Sequence, residues 1–481
     1  MQYHSTRGGA PAVDSAQAVL TGLASDGGLY LPEQIPAFDW KKCVAGDTLS
    51  MATQILSAFL PDIPDMEELV RLAYTGKFES DALTPTVSAG PFSVLELFRG
   101  PTSAFKDVAL SMLPRLMTAA KTVKGEEKDI LILTATSGDT GKAALVGFQD
   151  VPGIRICVFY PDGGVSDVQR RQMVSQEGEN VTVCAVRGNF DDAQTGVKNI
   201  FSTCRDKELP FALSSANSIN IGRLAPQITY YFKAYRDLLD AGKIQMGDEV
   251  NFSVPTGNFG DILAGWLASA LGLPVGKLIC ASNANNVLTD FIRTGTYDRL
   301  RPLYKTQSPS MDILVSSNLE RLLYLLSGDT ALVADLMNKL SRDGSYTVPE
   351  ALLEKIQQHF WAGCCDDVKA AEVIGRVFRD HGYLCDTHTA AGWGAAEDYV
   401  NQTGDDRPMV VLSTASPYKF PAAVLSAIGG NCDGDEFAQM EALEQRSGVA
   451  IPKNLAGLRQ KPQRHTGVIN KEDMLDFVLS L

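Results

Sequence analysis

The sequence predicts an α/β protein with two doubly wound, mainly parallel α/β domains and a small N-terminal domain. From residue 94 onward, apolar strand-like runs alternate with loops and helical patterns, as in parallel sheets covered by helices on both faces. The same alternation starts again after Gly247, whereas it is missing before residue 86. We therefore expect an N-terminal domain at 1–90, a smaller α/β domain at 91–235 and a larger one at 236–481.

The composition limits the ligand classes. With 481 residues the chain is long enough for two or three domains, and 45% hydrophobic with 21% charged residues is typical of a folded protein. A net charge of -14 disfavours a nucleic-acid or anionic-membrane surface, because such surfaces need a basic footprint. An anionic ligand therefore requires a local cradle.

Cysteine and histidine patterns add expectations about compartment and metals. The nine cysteines contain no CxxC pair, which predicts reduced thiols. No signal-peptide pattern or long apolar run is present, so we expect a cytoplasmic protein. The five histidines lack HExxH-type spacing, so no metal is predicted. His388 either faces a site or lies in a capped turn.

The elements follow in chain order. Asp14 can cap a first helix, helical patterns follow at 50–59 and 65–74, and for the STRGG segment at 5–9 a surface turn is favoured over an anion loop. The predicted strands are 94–98, 130–135, 154–160, 181–186, 250–254, 278–281 and 409–412. The segment 319–382 shows mainly helical spacing, including PEALLEKIQQHFWAG.

Lys106 stands where a helical pattern begins after the break at Gly100 and Pro101. The positive end of a helix favours a neutral amine, and a neutral amine can condense with an aldehyde. The alternative is an ordinary solvated lysine. Pro114 should kink the helix that Lys106 begins.

Four polar loops are candidates for ligand binding. TATSGDTGKAA (134–144) and VPTGNFGDILAG (254–265) each join a strand to a helix and offer backbone N–H groups to an anion. Neither contains a Walker A or GxGxxG pattern, and each could be a plain turn. SSANSINIGR (214–223) combines hydroxyls and amides with one guanidinium, and a solvated loop is its alternative. Ser413 and Thr414 end a strand, where a hydroxyl can meet a ring nitrogen.

Seven segments together resemble one enzyme family. In chain order they are LELFRGPTSAFKD, TATSGDTGKAA, SSANSINIGRLAPQ, PTGNFGDILAG, SPSMDILVSSNLER, DTHTAAG and STASPYKFP. This set resembles the long-form threonine synthases among the fold type II pyridoxal-phosphate enzymes, and the resemblance covers nearly the whole chain. It implies a cytoplasmic, PLP-dependent conversion of O-phospho-L-homoserine and water to L-threonine and phosphate. We expect a monomer or homodimer that acts on a small-molecule substrate and binds neither nucleic acid nor a membrane.

The resemblance also implies roles for individual residues. Lys106 would form the Schiff base with pyridoxal 5'-phosphate, Thr414 would meet the pyridine nitrogen, and Asp139 would lie by the cofactor O3′, where wider relatives have Asn. The cofactor phosphate would be bound by Gly257, Asn258, Phe259, Gly260 and Asp261. The substrate carboxylate would be bound by Thr136, Ser137 and Thr140, and the leaving phosphate by Ser215, Asn217, Asn220 and Arg223.

Three departures from the family pattern bear on substrate identity. Arg99 replaces the His of HGPT, Gly164 the Lys of YPxGKVS, and Ser416 the His of TAHPAKF. Two rival functions follow from the same resemblance. One is a phospholyase-like relative that releases 2-oxobutanoate, and the other is a PLP-binding pseudoenzyme that acts through interactions.

Overall fold

The computed structural model describes residues 1–136, 138–204 and 207–481. These residues form a three-stranded sheet near the N-terminus, two large sheets of five and six strands, and a two-stranded ribbon. The two large, mainly parallel sheets are those that the sequence predicts.

The N-terminal segment is a small sheet with four helices. Asp14 caps the first helix by accepting the Gln17 N–H at 2.8 Å, as predicted. The STRGG segment is not a free turn, because the Arg7 guanidinium bonds Glu320 through two nitrogens at 2.8 Å. The elements are β1 (Gln2–Ser5), β2 (Val13–Asp14), α1 (Ser15–Thr21), β3 (Tyr30–Pro32), α2 (Trp40–Ala45), α3 (Thr48–Phe59) and α4 (Met66–Tyr74).

The middle of the chain alternates strands and helices. Its elements are β4 (Thr86–Ala89), β5 (Phe92–Glu96), α5 (Lys106–Lys124), β6 (Asp129–Ala135), α6 (Asp139–Phe148), β7 (Ile154–Pro161), α7 (Asp167–Val174), β8 (Val181–Arg187), α8 (Phe190–Cys204), β9 (Phe211–Ser214), α9 (Ile221–Leu224) and α10 (Ile228–Asp240).

The remaining half continues the pattern and adds a helical insertion. Its elements are β10 (Val250–Pro255), α11 (Gly260–Ala270), β11 (Val275–Ser282), α12 (Val287–Thr294), β12 (Thr296–Asp298), α13 (Leu319–Ser327), α14 (Thr330–Asp343), β13 (Ser345–Thr347), α15 (Glu350–His359), β14 (Phe360–Cys364), α16 (Asp367–His381), α17 (Thr387–Thr403), β15 (Met409–Ser413), α18 (Pro421–Ala427), α19 (Glu436–Ser447), β16 (Val468–Asn470) and α20 (Met474–Leu479).

Helix α5 connects elements of the two large sheets. The five-stranded sheet has the order β16-β8-β7-β6-β9, and the six-stranded sheet has the order β14-β11-β10-β15-β5-β4. Helix α5 follows β5 of the larger sheet, yet it packs against α6, which follows β6 of the smaller sheet. Lys106, the first residue of α5, therefore lies between the two sheets.

Two observations depart from the sequence-based expectations. The HFWAG segment, predicted as the end of a helix, forms β14, which pairs in parallel with β11 so that Phe360 is opposite Leu278. This prediction was wrong because long-range pairing overrides the local helical spacing. In addition, β4 and β5 join the larger sheet and β16 joins the smaller one, so both sheets recruit strands across the predicted domain limits.

Helix α5 continues through Pro114 as one element. Because proline lacks an N–H, the Leu110 carbonyl loses its helical partner. Gly147 of α6 lies against this carbonyl, since a Cβ at position 147 would stand 2.0 Å from the Leu110 oxygen. The backbones of α5 and α6 therefore approach closely at the Leu110 carbonyl, which the proline leaves without a helical partner.

Within the described ranges, no helix is long and apolar enough to cross a membrane. Among the same residues, no three His, Cys, Asp or Glu side chains gather as metal ligands. All nine cysteines are described, and none is paired.

Candidate active site

The predicted site residues lie on loops that follow the carboxyl ends of strands. In the larger sheet β10, β15 and β5 are adjacent and parallel, so the loops that carry Lys106, Gly257 and Thr414 emerge side by side. In the smaller sheet β6 and β9 are adjacent and parallel, and their loops carry Asp139 and Ser215. Ligands of open α/β sheets bind at such edges.

Lys106 is almost enclosed by protein. The residue is 8% exposed. Its Nζ donates to the Ser310 Oγ at 3.4 Å and lies 4.5 Å from the Phe105 ring centroid. Burial lowers the pKa of the Lys106 amine to about 8, because the low-dielectric surroundings penalise the ammonium form. Desolvation is thus the largest cause of the lowered pKa of Lys106.

Four charged side chains from four loops act on Lys106. Asp139 and Asp261 raise the pKa of its amine, whereas Arg223 and Lys419 lower it. Because the two acids and the two bases shift the Lys106 pKa in opposite directions, burial remains the largest cause of the lowered pKa. This balance shows that the loops after β6, β9, β10 and β15 converge on one amine.

The glycine loop after β10 has the shape of an anion cradle. Gly257 lies against the Ser310 carbonyl, because a Cβ at 257 would stand 2.6 Å from that oxygen. Phe259 takes a left-handed conformation with φ 64° and turns the chain into α11, whose first turn has no side-chain cap. The Ile262 N–H of this turn donates to the Asp261 Oδ1 at 2.9 Å, whereas the Gly260 N–H makes no hydrogen bond with any described residue and remains available to an anion. Asp261, buried in this turn, has its pKa raised to about 6 by desolvation.

Thr414 lies on the other side of Lys106. Its carbonyl accepts the Phe105 N–H at 2.8 Å, which fixes the Lys106 loop to the end of β15. The residue is 5% exposed, and its hydroxyl makes no hydrogen bond with any of the described residues. The hydroxyl is therefore free for a ligand.

The loop after β6 is only partly described, since Ser137 lies outside the described residues. The Thr136 hydroxyl accepts the N–H groups of Gly138 and Gly141 at 2.9 Å and so caps the start of α6. Asp139 is buried and pairs with Lys419, and Thr140 is half-buried. The role of Thr136, Ser137 and Thr140 toward a carboxylate stays a prediction.

The loop after β9 places one cation near Lys106. Arg223 is 5% exposed, donates to the Ala216 carbonyl at 2.7 Å, and has its pKa lowered to about 10 by burial. Ser215 and Asn217 are half-buried beside it. Asn220 differs, because its amide bonds the Gly222 N–H and the Val19 carbonyl, both at 2.8 Å. Only one N–H of that amide is left for a ligand.

Arg321, a buried residue that was not predicted as part of the site, joins these loops. Arg321 is 0% exposed and donates to the Ile219 carbonyl and to the Asn318 Oδ1, both at 2.6 Å. Asn318 in turn donates to the Asn258 carbonyl at 3.0 Å. Arg321 also bonds the Tyr30 carbonyl of the N-terminal sheet. The sequence offered one indication of its importance: Arg321 is the last residue of SPSMDILVSSNLER, one of the seven segments that resemble the family, although no role was expected for it.

Two further residues reach Lys106 from the larger sheet's side. Ser310 contacts the Lys106 Nζ, and its backbone N–H donates to the His388 Nε2 at 3.2 Å. The His388 Nδ1 lies 2.7 Å from the Asp386 carboxylate, so an accepting Nε2 places the ring proton on Nδ1. His388 therefore contacts the site through Ser310, and it also lies in a helical turn capped by Asp386. Both alternatives that the sequence offered for His388 thus hold.

The three residues that depart from the family pattern are Arg99, Gly164 and Ser416, and each contacts neighbouring structural residues. Arg99 bonds Glu96 at 2.7 Å and Glu79 at 3.2 Å. Gly164 is exposed, and a Cβ there would stand 2.5 Å from the Pro161 side chain. Ser416 is fully buried and caps a short turn by accepting the Tyr418 N–H. None of these described contacts involves a site residue.

Comparison with known proteins gives a consistent result. Family models described as threonine synthase N terminus, pyridoxal-phosphate dependent enzyme, and threonine synthase, C-terminal match residues 2–74, 74–415 and 389–478. Threonine synthase of Pseudomonas aeruginosa is 39% identical over 98% of this chain and 96% of that protein. Threonine synthase-like 1 of Homo sapiens is 40% identical over 86% of this chain but only 58% of that protein, so the chain spans just over half of that relative's length.

A solved structure extends the likeness to three dimensions. The crystal structure of PLP-bound threonine synthase from Brucella melitensis matches with a TM-score of 0.87 at 40% identity, and the match covers 100% of this chain and 98% of that one. The predicted α/β fold of the pyridoxal-phosphate type is thereby confirmed.

Proposed function

The chain belongs to the threonine synthase family of pyridoxal-phosphate-dependent enzymes, and we propose that it converts O-phospho-L-homoserine and water to L-threonine and phosphate. The observation that carries the proposal is the buried Lys106 amine, whose pKa is lowered to about 8. The glycine loop after β10 and the buried Arg223 both lie near this amine, since Asp261 and Arg223 each act on its pKa. A phosphorylated amino acid that reacts next to an aldehyde cofactor needs this combination of groups.

The residues present fit pyridoxal 5'-phosphate. The uncapped first turn of α11 and the close backbone approach at Gly257 suit the cofactor phosphate. The Thr414 hydroxyl suits the ring nitrogen, and Lys106 suits the aldehyde carbon. When bound, the cofactor supplies an electron sink that stabilises negative charge on the substrate α carbon.

The remaining chemistry falls to side chains of this chain. Lys106 Nζ is the base that accepts the α proton, because burial keeps a large share of the amine neutral near pH 8. A second proton leaves the β carbon, and its bonding electrons form the β–γ double bond as the γ C–O bond to phosphate breaks. Arg223 offsets the charge of the departing phosphate, and Ser215 and Asn217 donate hydrogen bonds to it. The same residues retain the phosphate while water adds at the β carbon, and Lys106 or the retained phosphate relays protons during that addition.

Product analysis tests the proposed function. The purified full chain, supplied with PLP and O-phospho-L-homoserine, should release L-threonine and phosphate in equal amounts. Release of 2-oxobutanoate in place of threonine would assign the phospholyase reaction instead. A chain that retains PLP but releases neither product would assign a non-enzymatic role.

The pH dependence of cofactor capture is a further prediction. Only the neutral amine condenses with an aldehyde, so capture should rise with pH and reach half its maximum near the Lys106 pKa of about 8. Cofactor-free protein would be mixed with PLP at a series of pH values and trapped with borohydride, and the trapped label would be assigned to a lysine by peptide mapping. A midpoint above pH 9.5 would show that Lys106 behaves as a solvated lysine.

Arg99→His tests whether the departures alter substrate choice. Because the Arg99 guanidinium bonds Glu79 and Glu96, the KM for O-phospho-L-homoserine should stay within about twofold of the wild type. The free energy of unfolding should fall by about 1–2 kcal/mol, since Glu96 is buried and loses a charged partner. Kinetics and denaturant unfolding measure the two effects. A tenfold rise in KM without loss of stability would place Arg99 at the substrate instead.

The setting of the enzyme is also proposed. Nine unpaired cysteines support a reducing compartment, the cytoplasm. We propose a monomer or homodimer that binds neither nucleic acid nor a membrane, and light scattering can test its oligomeric state. The division at 1–90, 91–235 and 236–481 stays a proposal, although β4, β5 and β16 join sheets outside their own segments.

A further inference from the structure

Lys419 is a fully buried lysine that the proposed reaction does not use. It ends a short turn, Pro417–Lys419, that follows β15 and Thr414. Its Nζ lies 2.5 Å from the Asp139 Oδ1 and 3.2 Å from the Thr102 carbonyl. The side chains of Lys419 and Asp139 are 0% and 2% exposed. A buried ion pair of this kind is costly unless its geometry is well satisfied.

The contacts of Asp139 are concentrated on one carboxylate oxygen. Oδ1 receives both Lys419 and the Gln169 Nε2, the latter at 2.9 Å. Among the described residues, Oδ2 receives no hydrogen bond. Gln169 can approach because position 138 is glycine, where a Cβ would stand 2.4 Å from the Gln169 side chain. The carboxylate is thus anchored through Oδ1, and Oδ2 remains open.

The pair also joins the two sheets around Lys106. Asp139 begins α6 after the smaller sheet, and Lys419 follows β15 of the larger sheet. The Thr102 carbonyl that Lys419 bonds belongs to the loop leading into Lys106. Both charges act on the Lys106 amine, Asp139 by raising its pKa and Lys419 by lowering it. One contact therefore sets the relative position of three loops and the charge beside the amine.

We propose that Lys419 is a positioning residue for the reaction, which holds the ionised Asp139 carboxylate in place beside Lys106 so that the two charges act as one unit. The inference rests on the proposed function, because it concerns capture of the cofactor by Lys106. Loss of either partner leaves the other as an unpaired buried charge. The two losses should perturb Lys106 in opposite directions.

The test measures the pH midpoint of borohydride-trapped PLP in the full chain. In Lys419→Met, Asp139 is left without its partner and favours the ammonium form of Lys106, so the midpoint should rise by about one pH unit. In Asp139→Asn, Asp261 is the remaining anion opposite Lys419 and Arg223, so the midpoint should fall by about one pH unit. The double variant removes both charges and should return to within roughly half a unit of the wild type.

A matched control separates this role from a general loss of packing. Lys233 is another buried lysine that pairs with an aspartate, Asp237, on α10. Lys233→Met should lower stability yet leave the midpoint unchanged, because Lys233 is not among the charges that act on Lys106. Lys419→Arg keeps the charge and should recover most of the midpoint shift.

The outcomes test the role of Lys419 separately from the proposed function. If wild-type protein fails to trap PLP on Lys106, the proposed function is wrong. If wild-type protein traps PLP but both single variants keep its midpoint, or shift it in the same direction, the role of Lys419 is overturned while the proposed function stands. Should Lys419→Met fail to fold, Asp139→Asn and the double variant decide, since a normal midpoint in Asp139→Asn also overturns the proposal.

Discussion

Replacement of Lys106 by alanine is expected to lower kcat for threonine formation by about 10³-fold or more. The variant loses the amine that captures the cofactor and the base at the substrate α carbon. Its fold should persist, because burial already disfavours the charged lysine and alanine removes that unfavourable group. Steady-state kinetics with excess PLP, together with the visible absorbance of the bound cofactor, measure the loss.

Two comparison variants sharpen this result. Lys106→Arg retains a positive charge but cannot present a neutral amine, so it should be as inactive as the alanine variant. Lys339 is an exposed lysine of α14 that pairs with Asp335, and Lys339→Ala should keep wild-type kinetics. Threonine formation by Lys106→Ala at more than a tenth of the wild-type rate would show that another group performs both tasks.

The parts of the site that could be predicted from sequence are those encoded locally. Each loop that follows a parallel strand combines small or polar residues with a helix start, and this signal was visible for Lys106, Asp139, Gly257 and Thr414. Even here the cause needed the structure, because the burial that lowers the Lys106 pKa comes from residues distant in sequence, among them Ser310.

The contacts that could not be predicted from the sequence join segments that are far apart along the chain, which no local pattern encodes. Lys419 and Asp139 follow strands of different sheets, β15 and β6, and they meet only in the folded chain. His388 reaches Lys106 through Ser310, a contact that spans 78 residues of chain. The strand β14 was missed for the same reason, since its partner β11 is remote in sequence.

Replacement of Arg321 by methionine is expected to lower the free energy of unfolding by about 3–5 kcal/mol. Methionine fills a similar volume but removes the arginine donor from four acceptors: the Tyr30, Ser218 and Ile219 carbonyls and the Asn318 Oδ1. Removal of a desolvated cation offsets only part of this cost, although burial already lowers the Arg321 pKa to about 9. Denaturant unfolding of the cofactor-free protein measures the change.

The same substitution should weaken ligand binding, which separates Arg321 from an ordinary core residue. Arg321 bonds the substrate loop at Ile219, and through Asn318 it supports the glycine loop at Asn258. The Kd for PLP and the KM for the substrate should therefore rise together, and saturating PLP should restore part of the stability through mass action. Arg342→Met, which removes a side chain that is 75% exposed and pairs with Asp343, should leave stability and PLP affinity at the wild-type values, because exposed ion pairs contribute little. A loss below 1 kcal/mol in Arg321→Met, with unchanged PLP affinity, would mean that the loops hold their positions without this arginine.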